Sequence, residues 1–213
     1  MKSLLISSLL AISLVSTVSA SSDIKKASEP KKEKAKTSLG LYITAQNAGN
    51  YLNENKDALL VDVRSPSEIM FIGAASRMDI HVPLLLLDDS KYMSKKNHYA
   101  MKKNKYALAE IKYELNKKNA KKDTPIFITC RSGSSRSAPV VNMLAKEGYT
   151  NVWTVVDGFE GGKVKDGKFK GERVKNGWLH SDLKWTWKTP EDKLWFNCKY
   201  KDLFSKEDQA KCK

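Results

Sequence analysis

PIFITCRSGSSRS, residues 125–137, runs from an apolar stretch of strand length into small residues framed by two arginines. Ser137 to Glu147 then reads as a helix: Pro139 lies in its first turn, where a missing N–H does no harm, and Gly148 closes it. A strand, a glycine-containing loop and a helix in immediate succession allow backbone N–H groups to curl inward at the positive end of the helix. Such a nest binds anions. Ser132, Gly133, Ser134 and Ser135 are small enough for the curl, and Gly133 tolerates a positive φ. Arg131 and Arg136 add positive charge, and the guanidinium fork of Arg136 suits a sulfonate, phosphate or arsenate. In that field Cys130 is expected to be a thiolate nucleophile rather than a packed core thiol.

Outward from this stretch the pattern alternates strand and helix. Leu41 to Ile43 is a short strand, and Thr44 is an N-cap for a helix with Ala48, Tyr51 and Leu52 on one face. Ala58 to Val63 is a continuous apolar run, as in a parallel strand buried on both faces. Asp62 and Arg64 fall at its C-terminal end, the edge where open α/β sheets place ligands. Ile80 to Pro83 and Val152 to Val156 complete the strands. Leu84 to Lys105 reads as a surface insertion. Tyr106 to Ala120 is a helix carrying Leu108, Ile111 and Leu115 on one face, with Glu114 placed to pair with Lys118. The expectation is an α/β domain with a mostly parallel sheet between helices.

The ends have a different character. Lys2 followed by the apolar run Leu4 to Val18, ending Val18-Ser19-Ala20, has the form of a signal peptide over residues 1–20. The run is too short for a comfortable membrane span, so the expected location is periplasmic or secreted, without stable membrane insertion. Residues 21–38 are Lys-rich and poor in large apolar side chains, and read as a disordered tether. Residues 39–176 form the domain, and 177–213 an extension holding Trp178, Trp185, Trp187 and Trp195. Its aromatics are expected mainly to pack on the domain, a docking surface for a protein partner being the lesser expectation. The net charge of +14 is scattered and unaccompanied by a nucleic-acid motif, so a solvated basic surface is expected instead. His81, His98 and His180 lack metal-ligand spacing; no metal and no cofactor is expected. Glu68 is placed to salt-bridge Arg64 or to bear on the pocket, and the structural role is preferred.

Of three cysteines, Cys198 and Cys212 sit close together in the tail. Pairing them closes a loop of about 15 residues, worth roughly 3 kcal/mol, and leaves Cys130 free. A reduced tail and a tail thiol that resolves Cys130 are the competing readings that the sequence leaves open.

LVDVRSPSE (60–68), GAASRMDIHVP, CRSGSSRS and VVDGFEGG (155–162) together resemble a rhodanese domain, and the NGW…LKWTW segment is similar to tails of exported single-domain rhodanese-like proteins. The resemblance implies a five-stranded parallel sheet flanked by helices on both faces. It also implies sulfur transfer: Cys130 takes sulfur from a small sulfur-containing anion such as thiosulfate and passes it, as a persulfide, to a thiol acceptor. Asp62 and Arg64 match the family's Asp-x-Arg, which braces the site from the neighbouring strand. His81 stands where the family often has asparagine. The loop departs in length. Cys130 to Arg136 spans seven residues rather than six, as in phosphatases and arsenate reductases of this fold, although Thr129 stands where those phosphatases commonly carry histidine. A non-catalytic sulfur-carrier or binding module is the third alternative.

Overall fold

The computed structural model describes residues 23–212; the signal-peptide expectation for residues 1–20 lies outside them. Five parallel strands form the central sheet: β1 (Tyr42–Ile43), β2 (Leu59–Asp62), β4 (Ile80–His81), β7 (Ile126–Thr129) and β8 (Val152–Val155), in the order β1-β8-β7-β2-β4. All residues of these strands are buried. Because side chains alternate across a strand, two apolar layers result. Leu59, Val61, Val63, Ile126, Ile128 and Cys130 pack beneath α3 (Ala107–Lys117) and α4 (Ser137–Lys146). Leu60, Phe127 and Trp153 pack on the other face against α1 (Ala45–Glu54), with Ile69 of α2 (Pro66–Ile72) in the same layer. Thr44 caps α1, its hydroxyl accepting from the Asn47 amide at 3.2 Å.

Leu84 to Lys105 forms a surface hairpin, β5 (Leu85–Met93) against β6 (His98–Lys103), with a register shift between Asp88 and Tyr92. Helix α2 had no counterpart in the sequence reading, yet its signal is local. Ser65 and Glu68 cap each other reciprocally and Pro66 occupies the first turn, the capping-box pattern. After α2 come β3 (Ala74–Ala75), paired antiparallel with β9 (Trp185–Thr186) of the extension, and at the far end α5 (Lys206–Gln209). No helix of the described residues is long and apolar enough to cross a membrane.

Two expectations are corrected. The disordered tether does not describe residues 23–38: the Ala27 amide donates to Tyr42 O, the Ser38 amide to Asn142 Oδ1, and Ala35 is buried. Few apolar side chains suffice there because backbone groups dock on the domain directly. Glu114 does not partner Lys118. It is buried beneath the extension, where the Tyr200 hydroxyl donates to it at 2.9 Å and Lys199 Nζ lies 3.6 Å away.

Candidate active site

Cys130 begins the loop between β7 and α4, at the C-terminal edge of the sheet. It is a free thiol, 1% exposed, while Cys198 and Cys212 are joined in a disulfide. The segment after β8 forms the floor. The Phe159 amide donates to Cys130 O at 2.8 Å and the Glu160 amide to Arg131 O at 2.9 Å. Loop and floor approach so closely that side chains are excluded. A Cβ on Gly133 (φ +65°) would lie 2.2 Å from Val156, and one on Gly158 (φ +66°) 2.4 Å from Cys130 O. Among the described residues, the amides of residues 131–136 find no protein acceptor. Amides without a protein acceptor are what an anion-binding nest requires. Ser132 and Ser134 are half-buried and Ser135 is exposed.

The arginine fork expected to face a substrate has a different partner. Arg136, 8% exposed, is closed on Glu68, Nη2 donating to Oε1 at 2.7 Å and Nη1 to Oε2. Burial alone would raise the Glu68 carboxyl, but the ion pair with Arg136 outweighs it and holds the group at about 2. Glu68 thus salt-bridges Arg136, not Arg64. Its position was readable from the capping box; its partner, 68 residues away, was not. Arg131 is half-exposed, with Nε 2.9 Å from Glu160 Oε1. That contact has ion-pair distance without hydrogen-bond alignment, since Oε1 accepts no hydrogen bond.

Asp62 pairs with Thr129 across the β2–β7 ladder, one residue before Cys130. Its carboxylate receives the Arg64 amide at 2.9 Å, Nη2 at 2.7 Å and Nε at 2.9 Å. Arg64 is fully buried, donates also to Gly73 O, and lies 3.8 Å over the Phe159 ring. The pair therefore steadies the floor residue whose amide holds Cys130 O.

Asp157, also missed in the sequence reading, ties that floor to its neighbours. Its carboxylate accepts from the Ala45 amide at 2.7 Å and the Gly177 amide at 3.1 Å. His81 stands apart from the thiol: Nε2 donates to Arg64 O at 2.9 Å and Nδ1 accepts from the Trp195 amide at 3.2 Å. Its ring is accordingly neutral, with burial the main cause of a lowered pKa. His98 and His180 are exposed, and no three potential metal ligands cluster among the described residues.

A parallel sheet covered on both faces, with a free cysteine opening the loop at its C-terminal edge, defines an α/β domain of a recognisable class. Residues 44–165 match the rhodanese-like domain model, so the chain belongs to the rhodanese-like family. It is 30% identical over 143 residues to an uncharacterised protein of Rickettsia prowazekii, covering 67% of this chain and 94% of that protein. An uncharacterised protein of Rickettsia conorii is 28% identical over the same span and coverage. Among solved structures, Rv0390 from M. tuberculosis matches with a TM-score of 0.50 and 29% identity, covering 68% of this chain and 96% of that one.

Proposed function

We propose that this protein is a sulfurtransferase working through a persulfide on Cys130. The observation that carries the reading is the single free thiol among the described residues, set at the start of a loop whose amides are unclaimed and flanked by guanidinium groups. The Cys130 thiolate attacks the outer sulfur of thiosulfate. A new S–S bond forms, the original one breaks, and sulfite leaves with its electron pair. A thiolate or cyanide then attacks the outer persulfide sulfur, and the Cys130 thiolate departs. The loop amides hold the donor's oxyanion and the persulfide. With thiosulfate and cyanide, wild type should produce thiocyanate and Cys130→Ser should not; equal rates would end the proposal.

The seven-residue loop supports a second reading, as a phosphatase or arsenate reductase, because a larger ring accommodates a tetrahedral anion. Intact mass after offering thiosulfate and an aryl phosphate separately decides between them, through a persulfide or a phosphocysteine on Cys130. Export is proposed on two supports, the apolar N-terminal run and the Cys198–Cys212 disulfide, which suits an oxidising compartment. N-terminal sequencing of the mature chain beginning at Ser21 is the expected result.

A further inference from the structure

The segment 162–176 leaves the site floor and returns to it as one closed loop. The Val164 amide donates to Glu172 O at 2.8 Å and the Gly171 amide to Val164 O at 2.9 Å, so the chain doubles back just before Arg173. At its base Gly161 lies against Asn176, where a Cβ would come within 2.1 Å of the Asn176 carbonyl. Arg173 Nη1 donates to Gly161 O at 2.5 Å. Gly161 directly follows Glu160, whose amide holds Arg131 O. The loop thereby brings a third guanidinium to the site, one absent from the sequence-level motif.

The charges around the thiol decide what it does there. Arg136 is matched by Glu68 and Arg131 by Glu160, whereas Arg173 has no carboxylate within ion-pair distance among the described residues. The Cys130 thiolate aside, three guanidinium groups stand against two carboxylates, and the one without a carboxylate is Arg173. We propose that Arg173 recognises the anionic end of the substrate that reaches Cys130, which makes it a binding and specificity residue. The inference rests on Cys130 being a nucleophile toward an anionic substrate. Half-buried, Arg173 is disfavoured in its charged form first by burial and then by Arg131, while Glu160 and Cys130 favour it. An arriving anion relieves both costs, and the guanidinium remains protonated at neutral pH regardless.

The test compares alkylation of Cys130 by iodoacetate and by iodoacetamide, reagents with the same leaving group but different charge. The ratio of their rates reports the local field independently of sulfur transfer. Arg173→Gln should lower that ratio roughly fivefold, as expected for a nearby partly screened charge, while leaving the iodoacetamide rate within about twofold. Arg173→Lys should keep the wild-type ratio. With thiosulfate, Arg173→Gln should raise KM and leave kcat nearly unchanged, the mark of lost substrate binding. An unchanged ratio in Arg173→Gln overturns the proposal, and so does a wild-type Cys130 that neither reagent reaches. If wild type alkylates with the expected selectivity yet makes no thiocyanate, sulfur transfer fails while the role of Arg173 stands.

Discussion

At the scale of single residues the site depends on matched charge more than on cationic charge alone. Glu68 illustrates this. It caps α2 through Ser65 and clamps Arg136 across the molecule, so one carboxylate positions both a helix and the end of the Cys130 loop. Replacing it by glutamine leaves Arg136 buried without a counter-charge, at a cost of about 3–5 kcal/mol. The acid dependence follows from the lowered carboxyl. Held at about 2 when folded against an ordinary 4.5, Glu68 contributes stability that is fully present above pH 4.5. That contribution declines as pH falls through about 2, because the unfolded chain takes up its proton first. Denaturant midpoints measured across this window should therefore converge for wild type and Glu68→Gln. Parallel curves would show that the pair carries no such linkage.

Elements were legible where their signals are local. The strands around Leu60 and Ile128, the Thr44 cap and the β7–loop–α4 junction all follow from alternation, capping chemistry and small-residue patterning within about ten residues. The signal for helix α2 is equally local, its capping box of Ser65 and Glu68 lying inside the LVDVRSPSE stretch. The pairing of Arg136 with Glu68 and the return of Arg173 to the floor could not be read in this way. They depend on which sheet edge two distant segments reach, not on either segment's own pattern. His81 is the same case between elements: it joins the end of β2, through Arg64 O, to the extension, through the Trp195 amide. The Trp195 bond requires neutral imidazole, because Nδ1 must accept there, and Asp62, Arg64 and Lys199 are the charged groups that face the ring. A folded-state pKa below 6.5 means that its contribution is present above that pH and is lost as pH falls below it. His81→Asn supplies one donor and one acceptor without titrating. It should remove the part of the stability slope that begins near pH 6.5 in wild type; an unaltered slope would assign the acid sensitivity to other groups.

For the molecule as a whole, the question is whether residues 177–213 are a detachable arm or part of the folded unit. Trp178 is 2% exposed, and its indole donates to Lys184 O at 3.0 Å. β9 completes a ladder with β3, and the Trp195 indole donates to buried Glu110 at 3.0 Å. The extension thus supplies partners to polar groups that the domain buries: His81, Glu110 and Glu114. Removing residues 178–213 strands these groups, each at about 1–3 kcal/mol, and uncovers the apolar layer beneath Trp178. Summed, that rivals the entire stability of an ordinary domain. The truncated chain should therefore show no cooperative unfolding transition. Reducing Cys198–Cys212 is a far milder change, releasing a closure over a separation of 14 residues and costing about 3 kcal/mol. All the partners named above remain in place after reduction, so the reduced protein should keep a cooperative transition at a lower midpoint. Thiocyanate production per folded molecule should stay near that of the oxidised protein. Circular dichroism melts of the truncated, reduced and intact chains make the comparison. A truncated chain that melts cooperatively at the intact midpoint would make the extension an appended arm, its indoles free to serve a partner.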